Sequence, residues 1–230
     1  MTFGHRPVNI PAGEDELPAA RLVKAGPAPD GGLPLAEIAA SLLDGAVAAY
    51  PTETFYALGA AAFSKKGVER VYRLKGRDRS KPLPLVASDL DMVARIAASL
   101  PPPFARLAGE FWPGPLTLVL PAAPGLPEAI LGPGGTIAVR VPPPAWLRAL
   151  VRELAEPLTS TSANLAGESA LDDPAAVAAL VGDKADWLID GGRTPGGLPS
   201  TIVDLAGPAP RILREGAVPA ARIIELLETC

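Results

Sequence analysis

Residues 46–59 read AVAAYPTETFYALG. Two apolar runs, 46–50 and 55–58, flank the polar turn Pro51-Thr52-Glu53-Thr54. Each run has the length and bounds of a buried strand. A turn this short joins antiparallel neighbours, because parallel strands need a crossover of about a dozen residues or more. Outside this pair the pattern alternates. Helical spacing covers 34–43, 64–74, 89–99, 102–111, 145–154, 174–181 and 220–227. Strand-like runs fall at 83–87, 116–120, 137–141, 158–162, 187–190, 201–205 and 211–213. Ser64 is placed to cap the second helix and Gly76 to end it, and Asp172 or Asp173 to open the helix at 174. Interleaved helices and strands with two short strand connections, 46–58 and 201–213, predict an α/β fold built on a twisted sheet of mixed parallel and antiparallel strands flanked by helices. Residues 1–30, rich in Pro, Gly and acids without periodicity, read as a flexible arm, and 31–230 as a single domain.

Composition narrows the chemistry. Cys230 is the single cysteine and His5 the single histidine, which excludes an internal disulfide framework, multi-cysteine zinc and most histidine-based catalysis. No apolar run approaches the ~18–20 residues of a membrane span, and the N-terminus lacks a signal-peptide core; a cytoplasmic protein is expected. The net charge of −4 hides an uneven distribution. Lys65, Lys66, Arg70, Arg73, Lys75, Arg77, Arg79 and Lys81 face only Glu69 and Asp78 within their segment, a local charge of +6 on an otherwise acidic chain. Such an island suits a specific anion such as a nucleotide, or equally a solvated helix face.

GxxxxGK[ST] and GxGxxG are both absent, so no standard phosphate loop is available. Polar clusters sit instead at element ends, where α/β proteins place ligands. They are Thr52-Glu53-Thr54 with Tyr56, the segment 75–82, Arg140, Ser160 to Asn164, and Ser200 with Arg211 and Arg214. In an extended segment Lys75 and Arg77 would point to one side and share one anion. Ser162 and Asn164 stand in the same relation, offering a hydroxyl and an amide. Arg140, mid-strand among apolar neighbours, needs an anion or a structural carboxylate if buried. Ser160 to Ser162 could equally be a plain strand with its hydroxyls bonded to backbone.

PTETFYALG, KGRDRSKPL, FWPGPLTLVL, IAVRVP, TSTSAN, PSTIVDL and ILREG occur in this order, and over residues 34–220 the chain resembles the YrdC-like family of threonylcarbamoyl-AMP synthases, in its short form without an extra C-terminal domain. The resemblance implies a three-layer α/β fold with a deep, positively lined cavity. It implies ATP-dependent conversion of L-threonine and bicarbonate or CO2 into threonylcarbamoyl-AMP and pyrophosphate, with Mg2+ expected on the triphosphate. It implies, too, hand-over to the machinery that modifies adenosine 37 of tRNA. By matching motif positions, Lys75 and Arg77 would be catalytic; with Ser162, Asn164 and Arg214 they would hold ATP. Thr52, Tyr56, Arg140 and Ser200 would surround threonine and the carbamate. Two positions depart from the family: Ala57 stands where glycine is common, and Val86 or Ala87 where many members have histidine. The alternatives are a double-stranded RNA or tRNA binding module of the same fold, and a carbamoyl-adenylating paralogue.

Overall fold

A computed structural model describes residues 20–228. His5, Cys230 and the first 19 residues of the expected arm lie outside the described residues. In chain order the elements begin with β1 (Arg21–Lys24), α1 (Leu35–Leu43), β2 (Ala48–Pro51), β3 (Tyr56–Gly59), α2 (Lys65–Lys75) and β4 (Leu85–Val86). They continue with α3 (Leu90–Ile96), α4 (Pro103–Phe111), β5 (Leu116–Pro121), β6 (Thr136–Arg140) and α5 (Ala145–Leu154). The rest are β7 (Leu158–Thr159), β8 (Thr161–Ser162), α6 (Pro174–Val181), β9 (Trp187–Asp190), β10 (Thr201–Asp204), β11 (Arg211–Arg214) and α7 (Ala220–Glu228).

The stretch 46–59 folds as an antiparallel pair, with Tyr50 opposite Ala57. Ala57 sits in ordinary strand backbone and needs no glycine there. Ser64 caps α2 by accepting from the Gly67 amide, and Gly76 ends it in the left-handed region at φ 63°. Asp173, rather than Asp172, opens α6. α3 is shorter than the spacing predicts: Ala97 leaves the helix in extended backbone to bridge Ala122.

The mixed parallel and antiparallel pairing expected of the fold is present, divided between two sheets. One has the order β1-β9-β2-β3-β8 and the other β11-β10-β5-β6-β4-β7. The division falls inside the stretch 158–162, which periodicity reads as one strand. β7 pairs antiparallel with β4 in the second sheet, and β8 pairs antiparallel with β3 in the first. Ser160 is the single residue between them, its amide donating to Pro84 O. Pattern alone cannot show this, because a change of partner leaves the alternation of side chains unbroken.

The last third of the expected arm is also corrected. Arg21–Lys24 is an edge strand paired parallel with β9. Its alternation is invisible because only Val23 turns inward, and Arg21 lies over the Trp187 ring at 4.3 Å.

Where β3 passes β7 the backbones are in tight contact. A Cβ on Gly59 would lie 2.1 Å from Thr159 O and 2.9 Å from the Tyr50 ring. Gly59→Ala is therefore expected to cost about 3 kcal/mol or more. Gly76→Ala, strained in φ but facing open space, should cost about 1–2 kcal/mol. Urea denaturation of both variants checks the order; equal losses would show that the crossing yields.

Candidate functional site

The change of sheet at Ser160 leaves a gap between the two sheets, and a cavity of about 200 Å3 fills it. Thr52, Thr54, Tyr56 and Ser162 line it from the first sheet and its loops. Thr117, Arg140, Ser200 and Arg214 line it from the second; Thr161 adds to the first sheet's side, and Arg77 and Ser160 lie between. A second hollow, of about 580 Å3, adjoins it at Arg77, Pro84 and Ile202 and runs over Val119, Ala138 and Leu213.

Seven of the nine residues expected from sequence therefore share one cavity; Lys75 and Asn164 lie behind its wall. Lys75 ends α2 and is 4% exposed. Its Nζ donates to Ser162 O and Asn164 Oδ1 (both 2.7 Å), Asn164 O (3.1 Å) and Ser162 Oγ (3.2 Å). An ammonium has three protons, so every N–H already has an acceptor. None of those oxygens is a carboxylate; burial first, then the Arg77 charge, pushes the ammonium down to about 8. The expected extended geometry, with Lys75 and Arg77 facing one anion, is thus corrected: residue 75 is helical, residue 76 left-handed, and only Arg77 reaches the cavity.

Asn164 completes this brace. Its Oδ1 accepts from Ser162 Oγ at 2.5 Å, and its Nδ2 donates to Leu165 O and Glu168 O. Arg77 is fixed by Nε to Lys81 O and Nη2 to Pro82 O, both 2.9 Å. Arg214 donates to Ser200 O (2.7 Å) and Ser200 Oγ (3.3 Å), while Ser200 Oγ meets Thr117 Oγ1 at 3.0 Å. Neither arginine has a carboxylate partner among the described residues.

Thr52 braces its own turn, its Oγ1 donating to Phe55 O at 2.7 Å. Tyr56 donates to Gly192 O and accepts from the Gly191 amide; burial pushes its hydroxyl up to about 12. Arg140 forms an ion pair with Glu53, through Nη1 and Oε1, with side chains 9% and 13% exposed. Of the two partners left open by the sequence, the structural carboxylate is the one present. Glu53 was visible in the turn but not singled out; a mid-strand arginine signals that some carboxylate is needed, not which. Val86 and Ala87 are fully buried outside the cavity wall.

The basic segment is paired in part, and Lys65, Arg73 and Lys81 form no ion pair among the described residues. Arg70 pairs with Asp186, Arg79 with Glu69 and Lys66 with Asp44, while Lys75 and Arg77 turn to the cavity region. Among the described residues no group of three or more His, Cys, Asp or Glu could hold a metal ion, and no helix is long and apolar enough to cross a membrane.

The chain is similar to known proteins. The threonylcarbamoyl-AMP synthase of Pyrococcus abyssi is 36% identical over 184 residues, covering 80% of this chain and 54% of that protein. That of Bacillus subtilis is 34% identical over 190 residues, covering 82% and 55%. The chain thus spans about half the length of these relatives. The crystal structure of P. abyssi Sua5 complexed with L-threonine superposes with a TM-score of 0.81 at 33% identity, covering 90% of this chain and 60% of that one. The family model Sua5/YciO/YrdC, described as "Telomere recombination", matches residues 40–216. By its sequence and by the two sheets that enclose its cavity, this chain belongs to the Sua5/YciO/YrdC family.

Proposed function

We propose that the cavity forms L-threonylcarbamoyl-AMP from L-threonine, bicarbonate or CO2 and ATP, releasing pyrophosphate. The observation that carries this reading is a cavity walled by three arginines, two of them free of carboxylates, in a chain whose relatives include a Sua5 complexed with L-threonine. The cavity and the adjoining hollow together have the volume of an ordinary small-molecule site.

Threonine's amine adds to CO2, giving a carbamate and a proton. A carbamate oxygen then attacks the α-phosphorus; the new O–P bond forms as the bond to the bridging oxygen breaks and pyrophosphate leaves. Charge collects on phosphoryl oxygens, so preset cations in a partly dry site lower the barrier most. Arg77 and Arg214, with Ser162, hold the nucleotide. Thr52, Tyr56, Arg140 and Ser200 surround threonine and its carbamate. Lys75 and Asn164 act one layer back, fixing the loop that presents Ser162. The donor set does not fit a resident metal; magnesium enters with the triphosphate as part of the substrate. The product passes to the tRNA-modifying machinery for adenosine 37, in the cytoplasm.

Pyrophosphate release from ATP should require both L-threonine and bicarbonate; release without either overturns the reading. Arg77→Ala should lower the rate by about two to three orders of magnitude, the usual cost of one preset donor to a developing anion.

Lys75 gives a pH signature. Its ammonium titrates at about 8 in the folded chain against 10.5 as an ordinary lysine. Between those values the unfolded state holds more protons, so stability rises with pH; below about 8 both states are protonated and the dependence vanishes. The melting temperature of the wild type relative to Lys75→Met should therefore climb between pH about 8 and 10 and stay flat near pH 7. Over the same interval pyrophosphate release should fall, as the brace behind Ser162 loses its charge. A constant difference in melting temperature would refute the assignment.

A further inference from the structure

A hollow of about 350 Å3 lies outside the cavity and shares no lining residue with it. Its floor is apolar: Ala108 on α4, then Trp112 and Pro113 beyond the end of that helix, and Val141 after β6. The Trp112 ring leaves no polar group open. Its Nε1 donates to Leu116 O at 2.6 Å, and Phe104 packs edge-on against it at 5.7 Å. The rim is charged, with Arg148 and Arg152 one turn apart on α5 and Asp89 at the start of α3.

Around this rim one cation is left over. Asp89 caps α3, its Oδ1 accepting from the Met92 amide; its Oδ2 accepts from Ser88 Oγ and pairs with Arg152 at 3.5 Å. Arg152 and Asp89 therefore cancel. Arg148 is partly buried, and its Nη1 donates to Pro142 O at 2.8 Å and Pro143 O at 2.6 Å. Its Nε and Nη2 have no partner among the described residues, and no carboxylate pairs with it there. Those two groups form the edge of a guanidinium that takes a carboxylate side-on, through two parallel bonds. Arg77 and Arg214 stand in the same state in the cavity, oriented by carbonyls and uncancelled.

Gly109 is a second, independent pointer. It lies inside α4, where glycine is less stable than alanine, and it lines the hollow. A Cβ there would meet nothing within 4 Å, so no close approach of another segment requires glycine. Its missing side chain keeps the hollow open.

We infer that this hollow is a second ligand site, for a small monocarboxylic acid with an apolar body. The body lies against Trp112 and Val141, and the carboxylate meets Nε and Nη2 of Arg148. With Arg152 and Asp89 cancelling, the rim carries one net positive charge, which suits one negative charge rather than a polyphosphate. The volume falls in the range of small-molecule sites. The site stands apart from the chemistry of the cavity, and its test reads binding alone.

The probe is hydrocinnamate, a phenyl ring on a short chain ending in a carboxylate, compared with hydrocinnamamide, which has the same shape without the charge. Binding is followed by nuclear magnetic resonance at the indole N–H of Trp112, with that of Trp187 on β9 as the reference. The acid should shift the Trp112 signal saturably, leave Trp187 unmoved and bind about tenfold or more tightly than the amide, the worth of a charge-assisted bidentate contact. Acetate, which has the carboxylate but no ring, should not displace it. Arg148→Gln should bring the acid down to the affinity of the amide. Gly109→Leu fills the hollow from a position with open space and replaces glycine by a better helix former, so it should fold as the wild type does and bind neither probe. The absence of a saturable shift at Trp112, equal affinity for acid and amide, displacement by acetate, or binding that survives Gly109→Leu would each overturn the inference.

Discussion

Thr159 is the residue on which the remaining geometry depends. It is fully buried, and both its backbone and its hydroxyl are committed. Its amide donates to Ala60 O; its carbonyl accepts from the Tyr50 hydroxyl; its Oγ1 accepts from the Ala60 amide. These bonds pin the end of β7 against the exit of β3, and Gly59 keeps the space clear. One residue later the chain has changed sheets. Because the polar groups of Thr159 are all satisfied inside the protein, the joint has little to gain by opening to water. The cavity is the space this crossing leaves, so its walls are set by backbone pairing before any ligand arrives.

Around that space the cations fall into three states. Lys75 is spent on neutral oxygens and stiffens the loop at 162–164. Arg140 is tied to a carboxylate from the opposite sheet. Arg77 and Arg214 are anchored by carbonyls that orient them without cancelling their charge. A sequence shows four similar side chains; the fold gives them three different jobs, because only neighbours distant in sequence decide whether a charge is neutralised, braced or presented.

This separates what was legible from what was not. The element pattern read well where spacing is local: α2 with its Ser64 cap and Gly76 stop, α5 over 145–154, and the antiparallel pair at 46–59 match the expected elements closely. The gathering of Thr52, Tyr56, Arg77, Arg140, Ser162, Ser200 and Arg214 was anticipated from motif positions, and one cavity holds them. The partner of Arg140, the retreat of Lys75 behind the wall and the split of 158–162 were not legible. Each depends on which distant segment arrives alongside, and alternation of side chains is the same whichever does. β1 escaped for a simpler reason: four residues with one inward side chain carry no measurable period.

That short strand has a practical side. β1 covers the outer edge of β9, and Arg21 lies across the indole of Trp187 while pairing with Glu37 on α1. A chain trimmed at residue 30, on the view that its start is dispensable, would bare a row of backbone donors and acceptors along β9. Exposed strand edges of this kind template pairing between molecules. The first residues of the fold therefore act as a guard against self-association, and shortening them trades an apparent simplification for a sticky edge.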